Sequence, residues 1–137
     1  MSIVVSNLGK CELLDKMISD SLSVDENLFL KLYKDGFTPT KDSVIGDFIE
    51  ADFTNYAQKT LTRSGWTAAS IVSDKAVATY ATQTWTCGVT TNVLNGYYVV
   101  AQTSNKVLWF EDFTETITLV ANDVMVIPPK FTFDTES

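Results

Sequence analysis

Between Leu28 and Tyr33 the chain sets leucines at positions 28, 30 and 32 against Phe29, Lys31 and Tyr33. A period of two belongs to a strand, because successive side chains leave a pleated backbone on opposite faces, so the three leucines share one side. Short runs rich in Thr, Ala, β-branched and aromatic residues repeat this signature downstream: Trp66-Thr67-Ala68, Ala76–Tyr80, Gln83–Cys87, Gly96–Val100, Lys106–Phe110, Thr116–Val120 and Val124–Ile127. Turn-forming pairs punctuate them at Asp35-Gly36, Ser73-Asp74, Ser104-Asn105 and Asn122-Asp123. The runs on either side of Ser104-Asn105 predict a hairpin. Pro128-Pro129 is expected to end pairing, with Phe131 and Phe133 closing the chain. No segment repeats at a fixed period and no helix alternates with strands as in βαβ units. The expected fold class is mainly β, a small β-sandwich or barrel.

One stretch departs from this pattern. From about Ser6 to Leu22, Cys11, Leu14, Ile18 and Leu22 fall on one face of a helix, with Lys10, Asp15 and Lys16 pointing elsewhere. Ser6 or Asn7 is the candidate cap, Glu12 and Asp15 lie near the positive end, and Gly9 weakens the first turn. Residues 1–5 are expected to be an arm whose Ile3, Val4 and Val5 need a partner inside or outside the domain. The polar stretch from Thr38 to Thr62 reads as a long connection pinned to the core by Phe48, Ile49, Phe53 and Tyr56 rather than as a mobile lid. All 137 residues suit a single domain: an arm at 1–5, a helix at 6–22 and mainly β structure from 28 to 137.

The chain contains no histidine, which removes Ser-His-Asp and Cys-His catalysis and the commonest zinc sites. Carboxylate pairs remain, drawn from Glu50 with Asp52 or from Glu111 with Asp112 and Glu115. Adjacent acids on a strand face opposite ways, so Glu111 and Asp112 read as surface charges flanking a turn. Acidic groups near Asp20, Asp25 and Glu26, or at Asp35, Asp42 and Asp47, lack the ordered spacing of a calcium loop, and the glycines form no phosphate cradle. No metal and no cofactor is assigned, and the expectation is that the protein is not an enzyme. Its net charge of −7 and its single arginine, Arg63, argue against nucleic acid and anionic membranes as partners. Cys11 and Cys87 lie too far apart for a metal or redox motif and are read as buried, reduced thiols, the alternative being one disulfide. Trp66, Trp85, Trp109 and Tyr97-Tyr98 suit either a core or an aromatic platform for sugars.

The order of segments is distinctive as a set. Val5-Ser6-Asn7-Leu8-Gly9-Lys10-Cys11-Glu12-Leu13-Leu14 is followed by Leu28–Lys34, Pro39, Glu50-Ala51-Asp52-Phe53-Thr54-Asn55-Tyr56-Ala57, Gly96–Val100, Leu108–Glu111 and Pro129-Lys130-Phe131-Thr132-Phe133. Over most of its length the chain resembles small virion structural proteins of tailed bacteriophages, cyanophages among them, and in particular head decoration (cement) proteins. Asn55 departs from the glycine expected there. The resemblance implies a protein made in the host cytoplasm and carried on the capsid exterior. There it would bind the major capsid protein, as a homotrimer near threefold positions, and stabilise contacts between capsid subunits. A tail or baseplate component, a carbohydrate-binding module and a small hydrolase are the alternatives. Two contact regions are expected from the residues themselves: the arm, Ile3 to Val5, adding a strand to a capsid subunit, and the strand from Val107 to Phe110, apolar on both faces, whose Val107 and Trp109 bury a second face in a trimer.

Overall fold

The structure, a computed structural model, describes residues 3–18 and 26–133. Ten strands, one α-helix and two single-turn 3-10 helices lie in this range. The main sheet has five antiparallel strands in the order β1 (Val4–Val5), β8 (Val107–Leu119), β7 (Asn92–Ala101), β2 (Leu28–Lys34) and β3 (Lys59–Leu61). A three-stranded sheet runs β10 (Lys130–Phe133), β5 (Lys75–Thr79), β4 (Ser70–Val72), and a ribbon pairs β6 (Gln83–Thr86) with β9 (Val124–Ile127). The fold is thus mainly β and sandwich-like, with one N-terminal helix.

The alternation in β2 sorts its side chains onto two cores. Leu30 and Leu32 join Leu94, Tyr97, Val99 and Trp109 on one face, where Trp85, Met125 and Ile127 from the ribbon close over them. Tyr33 points the other way, into a cluster with Phe48, Tyr98, Val100, Val107 and Phe110. Phe48 comes from the long connection, stacks on Tyr98 at 4.3 Å, and holds that segment down as a packed cover. Asn55 takes a left-handed φ of 75°, a conformation its short amide side chain tolerates, so the turn forms without glycine. Ser73 and Asp74 both have positive φ between strands paired Val72 to Lys75, as a two-residue hairpin loop requires.

Four expectations are corrected. The two runs expected at Lys106–Phe110 and Thr116–Val120 merge into one strand, β8, Val107–Leu119, which leaves its partner between Asp112 and Ile117 and then rejoins it. Trp66-Thr67-Ala68 is not a strand; pairing begins at Ser70. Pro128-Pro129 redirects pairing rather than ending it: β9 pairs with β6 before the prolines and β10 with β5 after them. Two residues without N–H groups break one ladder and let the chain cross to the next sheet.

The fourth concerns the helix. α1 spans Asn7–Ile18 rather than 6–22, and residues 19–25 lie outside the described range. Ser6 caps it, its hydroxyl accepting the Gly9 N–H at 2.8 Å. The inward face is not the Cys11 and Leu14 stripe: Cys11 is exposed and Leu14 is 60% exposed, whereas Ser6, Gly9 and Glu12 are buried. α1 rests on backbone rather than on apolar side chains. The Ser6 N–H donates to the Leu108 carbonyl at 3.1 Å, the Ser6 hydroxyl to the Val107 carbonyl, and the buried Glu12 carboxylate accepts the Ser104 hydroxyl at 2.6 Å. Polar inward residues are what a polar floor demands. Cys87, by contrast, is buried, and both thiols are free.

Candidate functional site

The five residues expected at a subunit contact are brought together, but by their own chain. Val4 pairs with Phe110 and Val5 with Trp109 at the edge of the main sheet, and Ile3 and Val5 pack on the larger core. Val99 opposes Trp109 and Val100 opposes Val107, which leaves Leu108 without a partner as a β-bulge. The bulge turns Val107 and Phe110 toward one core, Leu108 and Trp109 toward the other. Four consecutive apolar residues are therefore buried on both faces within one molecule, and the Trp109 indole N–H meets no hydrogen-bond partner among the described residues.

The aromatic platform does not form. Trp85, Trp109, Tyr97 and Tyr98 are buried, and Trp66 lies half-buried, edge-on to Tyr80 and Trp109. The carboxylates divide as their strand positions require. Glu50 accepts the Tyr56 hydroxyl at 2.7 Å and lies 3.5 Å from Lys31. Asp52 meets Lys34 at 3.0 Å and Asn92 at 2.9 Å, and these contacts, Asn92 first, hold its pKa below the usual carboxylate value. Asp112 takes the hydroxyl of Tyr33, while Glu111 faces the opposite side beside its cross-strand partner Tyr97.

Glu111 is not a surface charge. It is 8% exposed and lines a cleft of about 480 Å³ at the junction of all three sheets. Two backbone features already described open that space: the departure of β8 from β7 after Asp112, which carries Phe113 and Ile117 to one wall, and the proline crossing between β9 and β10, which supplies the other. Tyr80 closes one side, and its backbone N–H is held by the Pro129 carbonyl at 2.9 Å. Burial first, and then the adjacent Glu111 carboxylate, push the Tyr97 pKa well above the ordinary tyrosine value, so its hydroxyl stays a donor to Glu111. The signal for Glu111 was present in the sequence: it stands two residues after Trp109 on the same strand face.

A second feature lies on the three-stranded sheet. Ile71, Ala76 and Phe133 stand opposite one another across β4, β5 and β10. They share a face with Phe131, which packs on Trp109 with ring centroids 4.6 Å apart. Phe131 ends the core there, and the row beyond it overhangs: Ile71 is 72% and Phe133 62% exposed. β4 forms the outer edge, with Val72 also exposed. No protein-family model matches the chain, and no curated protein matches it.

Proposed function

We propose that this chain is a non-enzymatic virion subunit, a head decoration protein that binds the outer surface of a phage capsid and stabilises contacts between major capsid subunits. The observation that carries a binding role is the overhanging row Ile71, Ala76, Phe133 beside the open β4 edge. Apolar side chains lined up beyond the core on an uncapped sheet gain nothing in a lone molecule and mark a surface that a partner covers. The address on a phage head comes from the sequence resemblance. A protein that binds the mature lattice better than its separated parts adds its binding free energy to the assembled shell. The net charge of −7 suits a position outside the shell, away from packaged DNA. The arm and the Val107–Phe110 strand serve the fold, so the overhanging sheet takes over the contact role, both to capsid subunits and between copies of a homotrimer.

Co-sedimentation with purified heads tests this reading. The wild-type chain is expected to pellet with heads, and Ile71→Lys with Phe133→Lys to remain in the supernatant with an unchanged melting temperature. A wild-type protein that is monomeric by light scattering and ignores heads would sink the proposal. So would turnover of any substrate that disappears when one of its own carboxylates is removed. Imaging the polypeptide on the tail rather than the head would reassign it to the tail or baseplate.

A further inference from the structure

Beyond the decoration role, and independent of it, we propose that the cleft over Glu111 is a binding site for a primary ammonium or guanidinium group carried on an aliphatic stem. The site has a floor, walls and a mouth of different chemistry. Glu111 at the floor is 8% exposed, with the Tyr97 hydroxyl beside it. Tyr80 and Phe113 supply aromatic walls, and Met125, Ile127 and Pro129 are buried apolar surfaces around them.

A carboxylate lining a cleft of this kind offers acceptors that a ligand's donors can meet. Tyr97 brings one hydroxyl hydrogen, whereas an ionised carboxylate accepts several hydrogen bonds. An ammonium brings three donors and a guanidinium five, and each brings the opposite charge into a place where water screens little. Tyr80, Tyr97 and Phe113 are aromatic members of the lining, a residue type that suits a cation. The apolar walls match an aliphatic stem, and the volume lies within the range of small-ligand pockets. Among the described residues of the lining, Lys130 is the one basic group; it is exposed at the mouth, where solvent and salt screen it. An anionic ligand would have to place its charge against Glu111 and is excluded by the same reasoning.

The ligand chemistry reaches the cleft either as a free amine or as a Lys or Arg side chain of a protein. Two-dimensional amide NMR of the full chain at neutral pH, titrated with pentylammonium, with pentanol and with a Gly-Lys-Gly peptide blocked at both ends, separates these cases. Pentylammonium is expected to shift the amides of residues 96–98, 111–113 and 125–127 and to bind at least tenfold more tightly than pentanol. The blocked peptide binding at the same amides assigns a protein side chain; exclusion of the peptide with retention of pentylammonium assigns a free amine. Glu111→Gln keeps the shape and an acceptor for Tyr97, so its spectrum should remain folded while the tenfold preference collapses to about one. Equal binding of amine and alcohol to the wild-type chain, binding of neither, or an undiminished preference in a folded Glu111→Gln protein each overturn the assignment.

Discussion

Alanine at Gly9 reverses a familiar rule. Inside a solvent-exposed helix, Gly→Ala gains about 1 kcal/mol from backbone entropy alone. Here a Cβ at position 9 would lie 2.2 Å from the Leu108 carbonyl oxygen and 2.8 Å from its carbonyl carbon, both backbone atoms of the bulge in β8. Real Cβ contacts stay beyond 3.0 Å, so α1 must retreat by at least 3.0 − 2.2 = 0.8 Å. A retreat of that size takes the 3.1 Å bond from the Ser6 N–H to the Leu108 carbonyl out to about 3.9 Å, past hydrogen-bonding range, and loosens the Ser6 hydroxyl from Val107 as well.

Two buried carbonyls left unmet cost about 1–3 kcal/mol each, and the propensity gain offsets about 1 kcal/mol, which leaves a net loss near 3 kcal/mol. With a urea m-value of about 1.5 kcal/mol/M, the unfolding midpoint falls by about 2 M. Intrinsic fluorescence of the buried Trp85 and Trp109 reports the transition. Gly46 is the control: no atom of the described residues lies within 4 Å of the Cβ position there, and its φ is not positive. Gly46→Ala is expected to leave stability unchanged or raise it by less than about 1 kcal/mol. A Gly9→Ala protein as stable as the parent would falsify the contact between α1 and the bulge.

Three further outcomes follow from the same geometry. Ser6→Ala removes the helix cap and the hydroxyl bond to Val107 together, and should lower stability by about 1–2 kcal/mol in thermal denaturation, with an unchanged value counting against the cap. Deleting residues 1–5 should lower the melting temperature of the free protein, because Val4 and Val5 pair with β8 and Ile3 packs on the core; an arm held in reserve for a partner would leave that temperature where it was. Burial raises the Glu26 pKa, but hydrogen bonds from Lys16 and from Thr103 outweigh it, so the folded-state value lies below the unfolded one. The stabilisation is therefore present above the ordinary carboxylate pKa and lost as pH falls through the lowered folded value, and Glu26→Gln should flatten the acid side of the stability profile, measured by melting between pH 7 and 3.

What could be read from the sequence was what is decided within a few residues. Leu30 and Leu32 declared the core face of β2 through the pleat, and Ser73-Asp74 and Ser104-Asn105 declared their turns through backbone preference. What failed depended on distant chain. Cys11, Leu14 and Ile18 have helical spacing, yet the surface beneath α1 is the backbone of a bulge about a hundred residues away, which selects Ser6, Gly9 and Glu12 instead. Gly9 looked like a weak point in a helix and is its point of closest approach. Lys59–Leu61 carries only one apolar residue and is a strand because β2 offers it an edge. Pro128-Pro129 stops pairing locally, and only the position of β5 makes it a crossing. Glu111 departs from expectation for a different reason: acidity suggests a surface position, whereas its register with Tyr97 and its spacing from Trp109 turn it inward.

The cleft and the overhanging sheet share residues, which ties the two proposals together physically without making either depend on the other. Thr79 and Lys130 line the cleft and are also the first rung of the β5–β10 ladder, three residues from Ala76 and Phe133 in the exposed row. A partner docked on that row would hold the ladder, and the ladder carries one wall of the cleft. If the two events couple, linkage makes the coupling reciprocal: an amine that tightens binding to a capsid by some factor must itself bind the capsid-held protein more tightly by the same factor. Because the rung joining them is backbone, substitution of the Lys130 side chain by Ala should leave that factor unchanged, and a factor that changes would move the coupling to the side chain.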